Sequence, residues 1–510
     1  MSCAWALADA GREVIVLDTG LTLEPEGRRD IDTVAARPPQ DWHDAELALI
    51  RARPPAKDEV PLKTSYGSDY PYRTVAASTP VEAPDITARG SYARGGLSNV
   101  WGGSVLPYRQ HDLDRWPIGT SDLAPSYAEV LKFMPVASYD DDLTTMFPLY
   151  TDDPVPHQPS RQAAMIRANV ARHRAQLAAR QVTVGRSRVA MDAPRCVACG
   201  LCLHGCPHGL IYSAQSTLDT LIARGVRYIP GVTVKTVEDI EDGVRIAAQD
   251  LSGAAISFEG ARVFVGAGVP NTADILLRSQ NRYDDPIYIR DSQYYLIPAL
   301  SRRSVGGVTS ERLHTLAQLF FEIMDATISP YTIHLQFYTY NDLFRAILQA
   351  KFGALARFIP DRLILGRLML WQGYLHSDHS GAIKATLRRN GTSDLMAMEP
   401  ALNPQTPTKV AQIAAKLSGL SRWTGLHPAK PLIEITEPGR GFHIGGSFPM
   451  AAEPGPGETD ILGRPRGMSR VHLIDASVFT TIPSTTITFT AMANAHRIGA
   501  AVVRGETDDR

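Results

Sequence analysis

Four of the chain's five cysteines lie within eleven residues, and their spacing constrains the local fold more than any other feature of the sequence. Cys196, Cys199, Cys202 and Cys206 follow one another at intervals of three, three and four residues, and Pro207 comes directly after the last. Such short steps carry successive thiolates to the corners of an iron–sulfur cluster. The run therefore predicts a loop wrapped around a 4Fe–4S or a 3Fe–4S cluster.

Other interpretations of the cysteine run stay open. A structural zinc site usually combines two cysteine pairs from separated segments, and the chain has no second pair of this kind. Disulfides between such close neighbours would strain the bond geometry. A cysteine-rich turn without metal remains an alternative. The number of irons is also open, because in two-cluster ferredoxins the fourth cysteine serves the other cluster.

The N-terminal segment has the pattern of half a dinucleotide-binding unit. Ser2–Gly11 predicts a helix closed by glycine, and Glu13–Asp18 predicts a buried strand with a carboxylate at its tip. In such a unit Asp18 would accept hydrogen bonds from an adenosine ribose, although it would equally end an ordinary strand. The strand and glycine-rich loop that open the unit do not precede Ser2, so we expect roughly twenty residues upstream of Met1 to be missing.

Two further segments are rich in small residues. Arg94–Ser104 contains four glycines interleaved with serine, asparagine and tryptophan, which predicts a loop whose backbone approaches a flat, polar ligand. Ala261–Gly268 predicts a buried strand that runs into a tight turn, followed by a helix over Asn271–Arg278. Together with the N-terminal segment, they indicate a bound flavin.

These segments, with His443–Met450 and Val471–Asn494, resemble the glucose–methanol–choline (GMC) flavoprotein oxidoreductases. The resemblance extends over residues 1–135, 196–280 and 438–505. It implies bound FAD and the transfer of hydride from an alcohol carbon to flavin N5. The run ending Cys206-Pro207-His208-Gly209 is similar to that of sugar dehydrogenase subunits whose cluster carries electrons off the flavin.

The resemblance implies an α/β fold (α+β overall), with a Rossmann-like FAD-binding domain interleaved with an antiparallel-sheet substrate domain. A chain of 510 residues is long enough for two such domains. The predicted parts are a first FAD-binding part over 1–135, a connecting segment over 136–195, a second FAD-binding part with the cysteine loop over 196–280, a substrate domain over 281–437 and a C-terminal FAD-binding part over 438–510.

The active-site residues follow from the same resemblance. His443 matches the family's active-site histidine and would take the hydroxyl proton as hydride leaves, although an ordinary structural histidine is the alternative. The second catalytic position, a histidine or asparagine in the family, holds Ser484 or Thr485 here. A hydroxyl group hydrogen-bonds a substrate oxygen but is no base near neutral pH. His443 is therefore the base that the sequence indicates.

The resemblance also implies the residues that contact FAD. Asp475 and Ala476 match the segment at the diphosphate and ribityl chain. Thr486 would begin a final helix, running to about Val503, whose N-terminus points at the flavin carbonyl. The other expected contacts are Asp18, Gly95, Gly96, Ser98, Asn99, Trp101, Gly102, Val232, Val234, Gly266 and Gly268.

Two segments of the substrate domain, Thr332–Tyr340 and Met369–His376, alternate like strands. Alternate side chains on them either line the substrate site or form an ordinary sheet face: His334, Gln336, Tyr338, Gln372 and Tyr374. Asn341–Leu370 is basic and amphipathic, which suits membrane contact less well than a core-facing helix pair with a solvated cationic side.

The composition excludes some partners. The net charge is −1 and basic runs are absent, which argues against nucleic acid. No signal peptide and no apolar stretch of about eighteen residues is visible, so a cytoplasmic location is expected.

The sequence thus predicts an FAD-dependent dehydrogenase that oxidises an alcohol or sugar hydroxyl, a small-molecule substrate, by hydride transfer to flavin N5. Electrons would pass through the iron–sulfur cluster to an electron-acceptor protein or a quinone. An oxidase of the same fold, using oxygen and with a metal-free cysteine loop, is one alternative. A relative that keeps the flavoprotein fold without redox activity is another.

Overall fold

The chain contains both helices and strands, with runs of successive strands between the helices, which confirms the predicted α/β (α+β overall) class. The computed structural model describes residues 1–51, 62–345, 353, 364–391 and 393–505. Its helices are α1 Ser2–Asp9, α2 Pro25–Ala35, α3 Asp44–Arg51, α4 Thr120–Leu131, α5 Arg161–Arg172, α6 Arg174–Ala178, α7 Ala214–Ala223, α8 Val269–Ser279, α9 Thr406–Gly419, α10 Ser421–Thr424 and α11 Thr488–Val503. Its strands are β1 Ile15–Asp18, β2 Val81–Glu82, β3 Val182–Arg186, β4 Arg227–Pro230, β5 Thr233–Ile240, β6 Gly243–Gln249, β7 Ala255–Gly260, β8 Val263–Val265, β9 Ile287–Asp291, β10 Tyr294–Ser301, β11 Leu319–Ile323, β12 Ile333–Tyr338, β13 Leu368–Tyr374, β14 Ala382–Asn390, β15 Ser393–Ala401, β16 Leu426–Pro428, β17 Glu434–Ile435, β18 Ile444–Gly445 and β19 Val471–Leu473.

Two pairs of parallel strands, β1 with β4 and β8 with β19, carry predicted cofactor positions, and a third parallel pair, β2 with β15, lies in another sheet. Helix α1 connects the first two pairs, because its Cys3 and Leu7 share an apolar cluster with Phe264 of β8 and Ala495 of α11. Asp18 ends β1, and the turn to Gly268 follows β8. Both predicted cofactor positions therefore follow the carboxyl end of a parallel strand, where nucleotides bind in such sheets.

The larger antiparallel sheet has the strand order β16-β10-β13-β12-β11-β3, with β17 also paired to β10. Residues 333, 335 and 337 of β12 belong to an apolar core that also contains side chains of α5 and α9. Because side chains alternate along a strand, residues 334, 336 and 338 lie on the opposite face. This sheet contains the two strands predicted within Thr332–Tyr340 and Met369–His376.

A second sheet, with the order β18-β9-β14-β15-β2, brings the segment around His443 beside β9. Helix α11 begins at Thr488, two residues after the predicted start. The difference arises because the Thr486 hydroxyl accepts a hydrogen bond from the Leu106 amide at 2.6 Å, which fixes this residue outside the helix.

Helix α8 begins at Val269, immediately after Gly268, and so starts two residues earlier than predicted. Most of the basic segment Asn341–Leu370 lies outside the described residues. Within the described part of the chain, no helix is long and apolar enough to cross a membrane.

Candidate active site

His443 directly precedes β18, and its backbone is fixed by a hydrogen bond from the Ser292 amide to its carbonyl oxygen at 3.0 Å. Its ring stacks on Tyr374, with 4.1 Å between ring centroids and 14° between ring planes. Burial, and to a lesser extent the neighbouring His334, lowers the pKa of His443 to about 3. The imidazole is therefore neutral near pH 7, which is the form that accepts a proton.

The second histidine of the site, His334, is held by a carboxylate. His334 on β12 lies opposite Glu322 on β11, and its Nδ1 is 2.7 Å from Oε1 of Glu322. Both side chains are 0% exposed. Burial raises the pKa of Glu322, against the opposing effects of His334, Arg109 and Arg188. Arg109 and Arg188 supply positive charge near this buried carboxylate, and His334 supplies a hydrogen bond.

Several polar atoms of this site are buried without a hydrogen-bond partner in the described structure. They are Nδ1 of His443, Nε2 of His334, Oε2 of Glu322 and Oγ1 of Thr485. Buried polar groups in proteins are normally hydrogen-bonded, so a group of unpaired atoms calls for a polar ligand. The imidazole nitrogens and the carboxylate oxygen can accept a hydrogen bond from an alcohol hydroxyl, and the threonine hydroxyl can donate one to the alcohol oxygen. This set of groups therefore suits an alcohol.

Ser484 and Thr485, the two candidates for the second catalytic position, have different surroundings. The Ser484 hydroxyl donates to the carbonyl oxygen of Thr332 and accepts from the His334 amide at 3.2 Å. It therefore anchors the segment to β12. The Thr485 hydroxyl, in contrast, has no partner among the described residues.

The polar face of the antiparallel sheet lies against the glycine-rich loop. Gln336 accepts hydrogen bonds from the hydroxyls of Ser104 at 3.0 Å and Tyr338 at 3.1 Å. A Cβ atom on Gly102 would stand 3.3 Å from the Tyr338 hydroxyl oxygen. On the next strand, Gln372 donates to the hydroxyl of Tyr374 at 2.7 Å. The predicted wall residues and the predicted loop thus meet.

The side chains of the glycine-rich loop are hydrogen-bonded within the protein. Ser98 donates to the Gly95 carbonyl at 2.5 Å, and Asn99 donates to the Gly96 carbonyl at 2.7 Å. The Trp101 indole donates to the carbonyl of Tyr212 at 2.8 Å. These side chains shape the loop, so its backbone is what remains to face a ligand. Gly95 has φ 82°, which favours glycine at this turn.

The predicted nucleotide end shows carboxylates in buried surroundings. Asp18 accepts a hydrogen bond from the Tyr228 hydroxyl at 3.0 Å, and burial raises its pKa. Its carbonyl oxygen accepts from the Val232 amide at 3.0 Å, which places the start of β5, with Val234, beside it. A buried carboxylate of this kind is stabilised by further hydroxyl donors, such as those of a ribose.

Asp475 connects three predicted cofactor segments. Its carboxylate accepts hydrogen bonds from the Gly268 amide at 3.0 Å and the Thr272 hydroxyl at 2.5 Å. Burial raises its pKa. The Ala476 carbonyl oxygen accepts from the Gly446 amide at 2.9 Å, three residues after His443. The structure therefore joins the turn after β8, the Asp475 segment and the active-site strand.

The cysteine loop does not form a metal site in the described structure. Cys196 accepts a hydrogen bond from the Ala198 amide, Cys202 from the Thr315 amide and Cys206 from the Leu210 amide, each at 3.4 Å. The thiols are thus engaged by separate amides, and no three His, Cys, Asp or Glu side chains among the described residues are grouped to hold a metal ion. The predicted iron–sulfur cluster therefore lacks structural support.

Burial is also the main influence on the thiols, and it raises the pKa of Cys199 to about 11 and that of Cys202 to about 12. The loop is covered by α2 and α3, because Leu201 packs with Ile31, Val34 and Ile50. It adjoins the candidate active site through the Trp101–Tyr212 hydrogen bond. The segment that follows the cysteine loop is thus bonded to the glycine-rich loop, and no preformed metal site is found among the described residues.

Sequence reasoning missed Glu322, Arg109 and Arg188. The available signal was a single acid inside the apolar run Leu319–Ile323. Glutamate is almost never fully buried unless it is paired, so an acid in such a strand implies a cationic or imidazole partner across the sheet.

Comparison with known proteins identifies the class. Residues 408–495, which include His443, Asp475 and Thr485, match the C-terminal domain model of the GMC oxidoreductases. No curated protein sequence matches the chain. Residues 408–495 therefore carry a GMC oxidoreductase domain, which confirms the prediction of a GMC-type oxidoreductase at the level of this domain.

Solved structures with the same fold include two oxidases. Pyridoxine 4-oxidase from Mesorbium loti matches with a TM-score of 0.57 and 13% identity, over 98% of this chain and 95% of its own. A variant of the formate oxidase of Aspergillus oryzae RIB40, studied for its effect on FAD modification, matches with a TM-score of 0.57 and 12% identity, over 99% of this chain and 96% of its own.

Proposed function

We propose that the protein oxidises the CH–OH group of a small alcohol or sugar, with FAD as hydride acceptor, in the site enclosed by His443, His334 and Thr485. The observation that carries this proposal is the group of buried polar atoms without partners, which includes one nitrogen from each of two imidazoles. They lie beside the glycine-rich loop in a protein with a GMC oxidoreductase domain.

The residues present fit FAD. The backbone of Gly95–Gly102 would lie along the flavin ring, Asp18 would accept hydrogen bonds from the ribose, and Asp475 with Ala476 would adjoin the phosphates and ribityl chain. The start of α11 would face the flavin carbonyl, where a helix N-terminus stabilises negative charge. Bound FAD supplies a two-electron hydride acceptor.

The chain's own residues bind and deprotonate the substrate. Thr485 donates or accepts a hydrogen bond at the substrate oxygen, and Tyr374 holds the His443 ring in place by stacking. The hydroxyl proton passes to one of the two imidazoles, because both present a buried, unpaired nitrogen. His334 and Glu322 are fully buried on the antiparallel sheet, and exclusion of water there strengthens their electrostatic contacts.

Two acceptors compete for the electrons. The two solved neighbours are named oxidases, which supports oxygen. The cysteine spacing supports an iron–sulfur relay to a protein or quinone acceptor, which remains a prediction from the sequence. Iron analysis of protein purified without oxygen, together with oxygen consumption during turnover, separates the two.

The proposed function is tested by flavin reduction. Protein loaded with FAD is mixed with a panel of primary alcohols, secondary alcohols and sugars without oxygen, and bleaching of the flavin absorbance is followed. We expect His443→Ala to slow reduction by at least about 10²-fold while FAD content is retained, since removing a group that stabilises the charge developing on the reacting oxygen costs about that much. His427→Ala, an exposed histidine on β16, is the matched control and should react like wild type. Wild-type flavin that no alcohol or sugar reduces would overturn the proposal.

A further inference from the structure

We propose that His334 is the catalytic residue that accepts the hydroxyl proton of the substrate, and that Glu322 is a positioning residue that orients it. The inference rests on the proposed alcohol oxidation and names the group that carries its proton. It differs from the sequence prediction, in which His443 is the base and the second position is Ser484 or Thr485.

The geometry of the pair is that of an oriented imidazole. Nδ1 of His334 is 2.7 Å from Oε1 of Glu322, and the two residues are opposite each other in the ladder between β11 and β12. The carboxylate can only accept, so the proton lies on Nδ1 and the lone pair lies on Nε2. Nε2 is buried and has no partner among the described residues.

Positive charge near the pair favours the ionised, accepting form of Glu322. Arg109 and Arg188 both act on Glu322, in opposition to the effect of burial. Arg109 is itself fixed by a hydrogen bond of 2.8 Å to the hydroxyl of Thr332, two residues before His334. A carboxylate behind an imidazole stabilises the imidazolium that forms when Nε2 takes a proton, as in the Ser-His-Asp arrangement.

His443 lacks such support. Its Nδ1 has no partner in the described structure, its ring stacks on Tyr374, and burial lowers its pKa to about 3. A weakly basic, neutral imidazole suits a hydrogen-bond contact to the substrate oxygen better than storage of a proton. His334 is close enough to His443 to contribute to the lowering of its pKa.

Ser484 links the inference to the predicted second catalytic position. Its hydroxyl accepts from the His334 amide and donates to the Thr332 carbonyl, and so clamps the start of β12. In the family that the chain resembles, the segment that corresponds to Ser484 supplies a side chain to the substrate. In this protein, Ser484 supports the strand that carries His334.

The step balances as follows. The O–H bond of the alcohol breaks and its proton passes to Nε2 of His334, while the C–H bond breaks and its electron pair leaves as hydride to FAD. The alcohol carbon becomes a carbonyl carbon, and the protein gains one proton. His443 and Thr485 hold the oxygen as its charge develops.

The test combines kinetics with a measurement that needs no turnover. His334→Asn, His334→Gln and Glu322→Gln are compared with Glu434→Gln, a control carboxylate on β17 of the same sheet. We expect both His334 variants to slow anaerobic flavin reduction by at least about 10²-fold with FAD retained. Glu322→Gln should slow it and alter its pH profile, and the control should leave both unchanged.

The independent measurement is an NMR spectrum of protein whose histidine side chains are labelled with ¹⁵N. The signal that is present in wild type and absent in His334→Asn is assigned to the His334 ring. The wild-type ring is expected as the Nδ1–H tautomer, and Glu322→Gln should disturb that tautomer. Folding of each variant is checked by its thermal unfolding. A wild-type ring protonated on Nε2 only, or folded His334 variants that reduce the flavin at the wild-type rate, would overturn the inference while leaving alcohol oxidation intact. Failure of wild type to oxidise any alcohol would overturn both.

Discussion

Ser484 and Thr485 are adjacent in sequence, yet their hydroxyls serve different purposes. Ser484 is bonded to the backbone of β12 at two points, whereas the Thr485 hydroxyl is buried and unpartnered in the described structure. A buried hydroxyl without a partner carries a desolvation cost that a bound ligand removes. The two residues should therefore respond differently to removal of the oxygen.

We expect Ser484→Ala to lower the free energy of unfolding by about 1–3 kcal/mol, because it leaves the His334 amide unpaired. Thr485→Val should leave the free energy of unfolding unchanged or raise it, and should weaken substrate oxidation instead. Chemical denaturation and kcat/KM for the best alcohol of the panel measure the two effects. A Thr485→Val variant that unfolds more easily but oxidises normally would contradict this division.

At the scale of elements, the site depends on contact between the glycine-rich loop and β12. Gly102 approaches Tyr338 so closely that an added Cβ would stand 3.3 Å from the hydroxyl oxygen. The hydroxyl is in turn bonded to Gln336, which also binds Ser104 of the loop. The spacing between loop and sheet is therefore set by a few atoms.

Gly102→Ala should destabilise the protein by about 1 kcal/mol, the low end of overpacking costs. Tyr338→Phe removes the hydroxyl oxygen that the new Cβ would contact. The double variant should therefore lose less free energy of unfolding than the sum of the losses in the two single variants. A double-mutant cycle from chemical denaturation measures this coupling, and FAD content reports whether the loop keeps its shape. Purely additive effects would show that the contact does not set the spacing.

Local motifs were readable from the sequence, but contacts between distant segments were not. Alternation along Thr332–Tyr340 predicts the strand β12, and His334 is a possible wall residue because such a sheet covers the flavin in the family that the chain resembles. The pairing of His334 with Glu322 depends on the register between β11 and β12, and strand register is set by packing of whole faces. The cysteine run shows the opposite case: its spacing suits a cluster, yet no three possible ligands among the described residues are grouped to hold a metal ion.

At the scale of the whole molecule, buried carboxylates make stability depend on pH. Burial raises the pKa of Asp291 to about 7 and that of Asp112 to about 6. Asp291 accepts from the Gly439 amide at 2.9 Å, and its other oxygen has no partner among the described residues. A carboxyl whose pKa is raised in the folded state favours folding most when protonated.

We therefore expect the free energy of unfolding to fall as the pH rises from about 4, the pKa of an exposed aspartate, through about 7. The contribution of Asp291 over this range is on the order of 4 kcal/mol. Asp291→Asn should flatten the dependence, whereas Asp30→Asn, at an exposed site on α2, should not. Denaturant titrations at a series of pH values measure the slope. A slope that is unchanged in Asp291→Asn would show that this carboxyl is not its source.

The two-sided character of β12 has a consequence for how such a protein can diversify. Positions 333, 335 and 337 contribute to the core, while positions 334, 336 and 338 contribute to the polar face. One short stretch of gene thus holds two interleaved sets of codons with different constraints. Changes at positions 336 and 338 can alter which molecule is accepted while position 334 keeps the proposed base and the odd-numbered set keeps the scaffold, so a small library restricted to codons 336 and 338 is the economical way to search for new specificities.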